Sequence, residues 1–234
     1  MLQTFNAVLK ETSKLAENIH RFVFSFINQE LEFEAGQYML VEVGGGYRQY
    51  SIGSSPNQKK ETETVVDVTP MGLGSKYLLN LKVGDEVKFR APMGVFKLQK
   101  TSKPKFFLGT GTGIVPLKSM ILALTESDFA SSYNLYWGLR TKGDLYFQDI
   151  WQALKAKNMH FAYHYCLSQE KDAEENVFIG HIQEGILATQ PNPEVLQDAE
   201  FYLCGRPETV ARLQEFLLNE LHIPNTQIFH EKFS

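Results

Sequence analysis

The chain has 234 residues, with 23 Lys and Arg against 27 Asp and Glu, and a formal charge of −4 that offers no basic stripe for nucleic acid. With 43% hydrophobic and 21% charged residues, and with 17 Phe and 10 Tyr, it is not a disordered chain and has apolar surface enough for two cores. Two cysteines, Cys166 and Cys204, are too few for a disulfide framework or for the four thiolates of a common iron–sulfur cluster, and they suit a reducing compartment. No apolar run approaches the length of a membrane span, and Met1 to Lys10 lacks a basic stretch followed by an apolar one. A soluble, cytoplasmic protein without a membrane span is expected.

The first hundred residues carry the two-residue period of strands. Ile19 to Phe26 places Phe22, Phe24 and Phe26 on one face, as barrel core. Tyr38 to Val43 is a second β-rich run, and the turn Gly44-Gly45-Gly46 leads into a strand from Arg48 to Ile52. Thr64 to Thr69 and Glu86 to Arg90 give two more strands. Between them Ser75 to Leu81 reads as a short helix capped by Ser75 and ended before Gly84. Many short strands with one small helix suggest a closed antiparallel barrel.

Beyond Lys100 the pattern changes. Thr101-Ser102-Lys103-Pro104-Lys105 is polar and contains a proline, which sets a division into domains 1–100 and 101–234. Strand Phe106–Leu108 precedes a helix from Ile114 to Thr125, and strand Leu135–Gly138 precedes a helix from Asp149 to Lys157. Strand Phe161–Leu167, a helical turn at Ile182–Ala188, strand Phe201–Cys204, a helix from Pro207 to Leu221 and a short strand Ile228–Phe229 follow. Such alternation builds an α/β domain on a parallel sheet, with ligands at the carboxyl ends of its strands. Glu170 to Asn176 reads as an acidic loop.

Two segments carry chemistry. Gly109-Thr110-Gly111-Thr112-Gly113-Ile114-Val115-Pro116 lies between a strand and a helix, where glycines admit a pyrophosphate to the backbone and the helix start offers free N–H groups. It departs from the usual dinucleotide fingerprint: its third glycine comes one residue early, and Gly138-Leu139-Arg140 stands where an acidic residue would end the next strand. Arg48-Gln49-Tyr50-Ser51 lies on a barrel strand, with Arg48 and Tyr50 on one face and Ser51 on the other. His160, His164 and Cys166 share a strand face but have no fourth ligand after them, so no metal site is expected. Neither Gly-x-Ser-x-Gly nor His-Glu-x-x-His occurs, and hydrolase readings have no anchor.

Taken in order, these residues resemble the ferredoxin–NADP reductase family over nearly the whole chain. Four segments carry the likeness: Arg48 to Ser51, Gly72 to Leu78, Gly109 to Pro116, and Tyr202-Leu203-Cys204-Gly205-Arg206-Pro207. Gly84 to Val87 and Ala91 to Phe96 also look like the family's linking stretches.

The resemblance implies an N-terminal barrel that binds FAD, a C-terminal domain that binds NAD(P)H, and ring systems that meet at a cleft. Arg48 would pair with the FAD pyrophosphate, Gln49 would lie in the same motif, Tyr50 would stack on the flavin, and Ser51 would reach flavin N5. Gly72, Gly74 and Ser75 would hold the pyrophosphate at the start of the short helix, and Val66 and Val68 would pass the flavin through backbone groups. Asp67 stands where many relatives have a basic residue. On the second domain Thr110, Gly111, Thr112, Gly113 and Pro116 would cradle the nicotinamide nucleotide, with Gly205 and Pro207 facing the same crevice. Cys204 would border the nicotinamide, Glu231 would supply a carboxylate from the C-terminal tail, and Phe233 would cover the flavin. Ser168-Gln169 and His181 stand where relatives that use the 2′-phosphorylated nucleotide carry arginines, which leans towards NADH. Arg140 and Lys171 lie near enough in the chain to offer a phosphate contact.

The activity so implied is transfer of hydride from NAD(P)H to flavin N5, then of single electrons to a separate carrier, a ferredoxin or flavodoxin, or to an oxygenase component. Relatives that reduce free flavins tend to carry Pro-Phe-Ser in the first motif, so Tyr50 favours a tightly held FAD. A free-flavin reductase and a non-catalytic electron-transfer subunit are the alternatives. The sequence sets no oligomeric state.

Overall fold

A computed structural model describes residues 2–69, 71–172, 174–189 and 192–233. The chain divides into two compact units, residues 1–99 with 115–126, and residues 100–114 with 127–234.

The first unit is a six-stranded antiparallel sheet. Its strands are β1 (Gln3–Ala16), β2 (Ile19–Phe26), β3 (Tyr38–Val43), β4 (Gly46–Ser51), β5 (Glu61–Asp67) and β6 (Glu86–Met93), in spatial order β4-β3-β6-β1-β2-β5. The end strands approach each other, and Gly53 N donates to Glu63 O at 2.8 Å, so the sheet curls into a barrel. Alternate residues fill it: Phe5, Ala7 and Leu9 of β1, Phe22 and Phe24 of β2, Met39 and Val41 of β3, and Val87 and Phe89 of β6. Phe26 is half-buried and packs against that core.

Sequence reading places no element before Ile19, yet β1 lies inside the sheet, between β2 and β6. Its alternation stops at Leu9, where the register with β2 shifts, and the polar stretch beyond hides the strand. Helix α1 (Leu73–Asn80) starts two residues earlier than expected. Gly72 is its N-cap, and Ser75 is the third residue of the helix rather than its cap. Helix α2 (Ile114–Thr125) belongs to this unit. Lys118 Nζ pairs with Glu63, Ser119 Oγ donates to Ser54 O at 2.7 Å, and Glu126 accepts from Ser55 and Asn57.

The second unit is a six-stranded sheet, parallel throughout. Its strands are β7 (Lys105–Thr110), β8 (Tyr133–Leu139), β9 (Phe161–Leu167), β10 (Val177–Ile179), β11 (Glu200–Gly205) and β12 (Ile228–Lys232), in order β10-β9-β8-β7-β11-β12. The helices are α3 (Gln148–Lys157), α4 (Ile182–Thr189), α5 (Pro193–Asp198) and α6 (Pro207–Glu215), the last continued by a wider turn, Phe216–Glu220. One core, built on Phe106, Leu108, Phe201 and Leu203, packs under α4 and α6. The opposite face holds Trp137, Tyr163, Tyr165 and Trp151, all buried. From β7 the chain steps outwards to β8, β9 and β10, then returns to the other side of β7 for β11 and β12. The reversal lies between β7 and β11, where open α/β sheets bind their ligands.

Candidate cofactor sites

On the first unit, strand β4 and helix α1 bring Arg48, Tyr50 and Gly74 together. A Cβ at Gly74 would collide with Tyr50 Oη and stand 3.0 Å from Arg48 Cγ, so only glycine lets the helix start so close to the strand. Arg48 donates through Nη1 to its neighbour's carbonyl, Tyr47 O, at 2.8 Å, and among the described residues its guanidinium has no salt bridge. The first turn of α1 contains no acidic residue, and Gly72 offers no side-chain cap among the described residues. Its leading N–H groups and positive dipole end are thus available to an anion. Burial pushes the Tyr50 hydroxyl up to about 12, against the opposing pull of Arg48. The ring therefore stays neutral at any working pH and offers stacking area without charge.

This arrangement fits a dinucleotide whose pyrophosphate needs a fork and a helix terminus and whose ring needs a face. Ser51 is buried at the end of β4, and Gln49 points to the opposite face from Arg48 and Tyr50, exposed. Ser75 is half-buried one residue beyond Gly74. Val66 and Val68 turn their side chains into the barrel core, which leaves only backbone for a ligand. Asp67 is used locally: its Oδ1 accepts from Thr69 N at 2.9 Å and from the Thr69 hydroxyl, closing the turn after β5. Two open hollows elsewhere on this unit, of about 380 and 460 Å³, are lined by residues such as Glu30 and Lys60 and contain none of these groups.

On the second unit the expected residues gather at the carboxyl ends of the strands. Thr110 ends β7, and Gly111–Gly113 form a single 3₁₀ turn that leads into α2, with Pro116 tolerated in its first turn. A Cβ at Gly113 would collide with the Cys204 carbonyl, so the turn lies directly on the end of β11. Thr110 Oγ1 is buried against Gly205 and, among the described residues, has no hydrogen-bond partner.

Strand register aligns Glu231 of β12 with Cys204 of β11 and Gly109 of β7. Glu231, which the resemblance puts on a C-terminal tail, lies on an edge strand beside the cysteine. Burial raises its carboxyl to about 7, and Oε2 has no partner among the described residues. Burial, with the Glu231 charge beside it, pushes the Cys204 thiol well up, so it is a neutral thiol rather than a thiolate. Phe233 N donates to Gly205 O at 2.9 Å, which holds its half-buried ring at this end of the sheet. Pro207 opens α6 and is exposed.

Arg140 and Ser168 follow β8 and β9, both exposed, one and two strands away from the reversal. Gln169 N donates to Arg140 O at 2.9 Å and Ser168 N to Leu139 O at 3.2 Å. Glu170 accepts from Lys142 N at 2.7 Å, and Glu174 pairs with Lys142 Nζ. His164 lies against Tyr136 with ring centroids 4.7 Å apart, and Cys166 is buried beneath α4.

The chain matches two family models, an oxidoreductase FAD-binding domain over residues 6–98 and an oxidoreductase NAD-binding domain over residues 107–215. A ferredoxin-NADP+ reductase from Plasmodium falciparum shares the fold at a TM-score of 0.80 and 16% identity, over 98% of this chain and 96% of that one. The chain belongs to the ferredoxin–NADP reductase family. Its barrel is thus an FAD-binding domain and its parallel sheet an NAD-binding domain.

Within the family, the chain is 28% identical to the anthranilate 1,2-dioxygenase electron transfer component of Acinetobacter baylyi, over 88% of this chain and 59% of that protein. It is 30% identical to the propane 2-monooxygenase reductase component of a Gordonia species, over 88% of this chain and 60% of that protein. A cytochrome P450 reductase from Amycolatopsis superposes with a TM-score of 0.88 at 26% identity, over 99% of this chain and 70% of that one. The chain therefore spans about 60% of the length of the first two relatives. Among the described residues no helix is long and apolar enough to cross a membrane.

Proposed function

We propose that this chain is an FAD-dependent reductase that takes electrons from NADH, in preference to NADPH, and passes them to a separate electron-carrier protein or oxygenase component. The observation that carries the reading is the row at the sheet reversal. Cys204 and Glu231 are aligned across β11 and β12, directly beside a glycine turn that only a close-packed backbone can form. Bound FAD supplies the step from paired to single electrons, chemistry that no side chain offers. The chain's own residues bind, orient and exclude water. Arg48 and the start of α1 neutralise phosphate charge, Tyr50 covers a ring face, and Ser51 presents a buried hydroxyl. Cys204 gives the nicotinamide a small neutral wall, and Glu231 holds a proton that titrates near neutrality.

The preference for NADH rests on charge. Ser168-Gln169 and His181 stand where relatives that use the 2′-phosphorylated nucleotide carry arginines, so a 2′-phosphate loses two guanidinium partners. One relative is named an NADH-quinone reductase subunit. An electron-carrier or oxygenase partner is favoured by the dioxygenase and monooxygenase relatives, which are named as electron transfer and reductase components.

Anaerobic stopped-flow absorbance on the as-purified protein tests the reading. Bound flavin should bleach with NADH at least tenfold faster than with NADPH. Cys204→Ala should slow bleaching at saturating NADH while nucleotide affinity stays within a few-fold. Protein without flavin that acts only on added FAD or FMN would make it a free-flavin reductase, and bound flavin that neither nucleotide reduces would make it a non-catalytic subunit.

A further inference from the structure

The nucleotide-binding turn is fastened from behind by two aromatic side chains. The Gly111 carbonyl accepts from Trp137 Nε1 at 3.0 Å and from Tyr146 Oη at a longer 3.3 Å, besides the amide of Ile114 in the turn itself. Trp137 is wholly buried on β8, in the same register row as Gly109 and Tyr165, and its ring meets that of Tyr146 edge-on with centroids 4.6 Å apart. Tyr146 is delivered by a deliberate piece of backbone. Thr141 and Asp144 form a capping box around the turn Lys142–Asp144, and Phe147, next after Tyr146, is left-handed at φ 61°. A bulky aromatic residue at positive φ costs free energy, and such strain persists where the surroundings impose it.

We propose that Trp137 and Tyr146 are positioning residues for nicotinamide nucleotide binding: by holding the Gly111 carbonyl inwards they turn the Thr112 N–H outwards, towards the pyrophosphate. A peptide group is planar and trans, so its C=O and N–H point in opposite directions. Fixing the carbonyl of Gly111 therefore fixes the amide of Thr112. A flip of this peptide changes ψ of Gly111, which lacks a Cβ and admits it, and φ of Thr112, so the two side-chain donors add to the resistance already given by Thr112 and by the turn's own Ile114 amide. The flipped peptide would present a carbonyl dipole to an anion, replacing attraction by repulsion. Tyr146 and Trp137 act through one peptide plane, without touching the nucleotide. The inference rests on the reading that this turn binds NADH.

Three variants test it: Trp137→Phe, Tyr146→Phe, and both together. Phenylalanine keeps an aromatic ring and removes the donor. Anaerobic flavin reduction gives the apparent affinity and limiting rate for NADH, and calorimetry gives the affinity for ADP-ribose, which carries the pyrophosphate but no nicotinamide. Trp137→Phe should weaken both affinities about fivefold to tenfold and Tyr146→Phe about twofold to threefold, the longer bond being the weaker. The limiting rate should stay within twofold and the flavin content unchanged, which a general loss of packing would not give. Tyr146→Phe deletes one oxygen and decides the matter if the tryptophan variant does not fold. NADH and ADP-ribose affinities unchanged in Tyr146→Phe and in the double variant would overturn the inference, as would a fall in the limiting rate at constant affinity. Wild-type protein that binds neither NADH nor ADP-ribose would overturn the functional reading along with it; normal wild-type binding with unaffected variants removes this inference alone.

Discussion

Glu231 is a carboxyl group kept where a carboxylate is disfavoured. Burial lifts it from the ordinary carboxylate value of 4.5 to about 7, and no hydrogen bond among the described residues compensates Oε2. Between those two values the folded chain binds more protons at this site than the unfolded chain, so its contribution to stability is present below pH 4.5 and is lost as pH rises through 7. Glu231→Gln keeps the shape and removes the titration. The variant should match wild type at pH 4 and become more stable by on the order of 1 kcal/mol at pH 8, the full shift being discounted for the partly exposed side chain. Urea unfolding of both proteins at the two pH values checks this, and parallel stabilities across the range would remove the strain assigned to Glu231. The alignment of Glu231 with Cys204 is a matter of strand register, which no local spacing encodes.

Helix α2 is attached to the barrel by buried charge. Lys118, 5% exposed, pairs with Glu63, 6% exposed, and Arg21 Nε donates to the same carboxylate at 2.8 Å. Burial opposes the Glu63 charge, but the two cations outweigh it and hold its carboxyl below the ordinary range, so this stabilisation is lost as pH falls through that lowered value. Lys118→Met leaves a buried carboxylate with one cation and should cost about 3 kcal/mol, whereas Lys118→Met with Glu63→Met should cost much less than the sum of the single changes. A double-mutant cycle by denaturant unfolding measures the difference, and strict additivity would show that the pair does not couple. None of this pairing is visible in the sequence, because the partners are 55 positions apart. The sequence does show the elements whose pattern is local. Strand β9 and helix α2 fall where periodicity places them, since each has a continuous apolar pattern and clear ends. Strands β1 and β10 and helix α5 escape, being bulged, three residues long and six residues long. The glycine turn stands out in the sequence by its place between a strand and a helix, and Arg48–Ser51 by its likeness to a family motif. Trp137 and Tyr146 do not, because a buried aromatic residue reads as core.

At the scale of the whole molecule, one chain carries two separate binding domains, and each should respond to its own ligand. The barrel unit contains Arg48, Tyr50, Gly74 and α1; the sheet unit contains Thr110, Gly113, Cys204 and Glu231. A ligand that binds only the folded form stabilises what it touches by mass action, about 2.7 kcal/mol at a hundredfold excess over Kd. FAD removal should therefore lower amide protection along Gly46–Ser51, Glu61–Asp67 and Leu73–Asn80, and lower the first thermal transition by on the order of 10 °C. Lys105–Thr110 and Glu200–Gly205 should respond instead to NADH or ADP-ribose added to the flavin-loaded protein. Hydrogen exchange read by mass spectrometry separates the two. Protection that changes in the sheet unit's strands on FAD removal, with none in α1 or β4, would place the flavin away from Arg48 and Tyr50. The start of α1 would then owe its lack of acidic residues and side-chain cap to something other than a bound pyrophosphate.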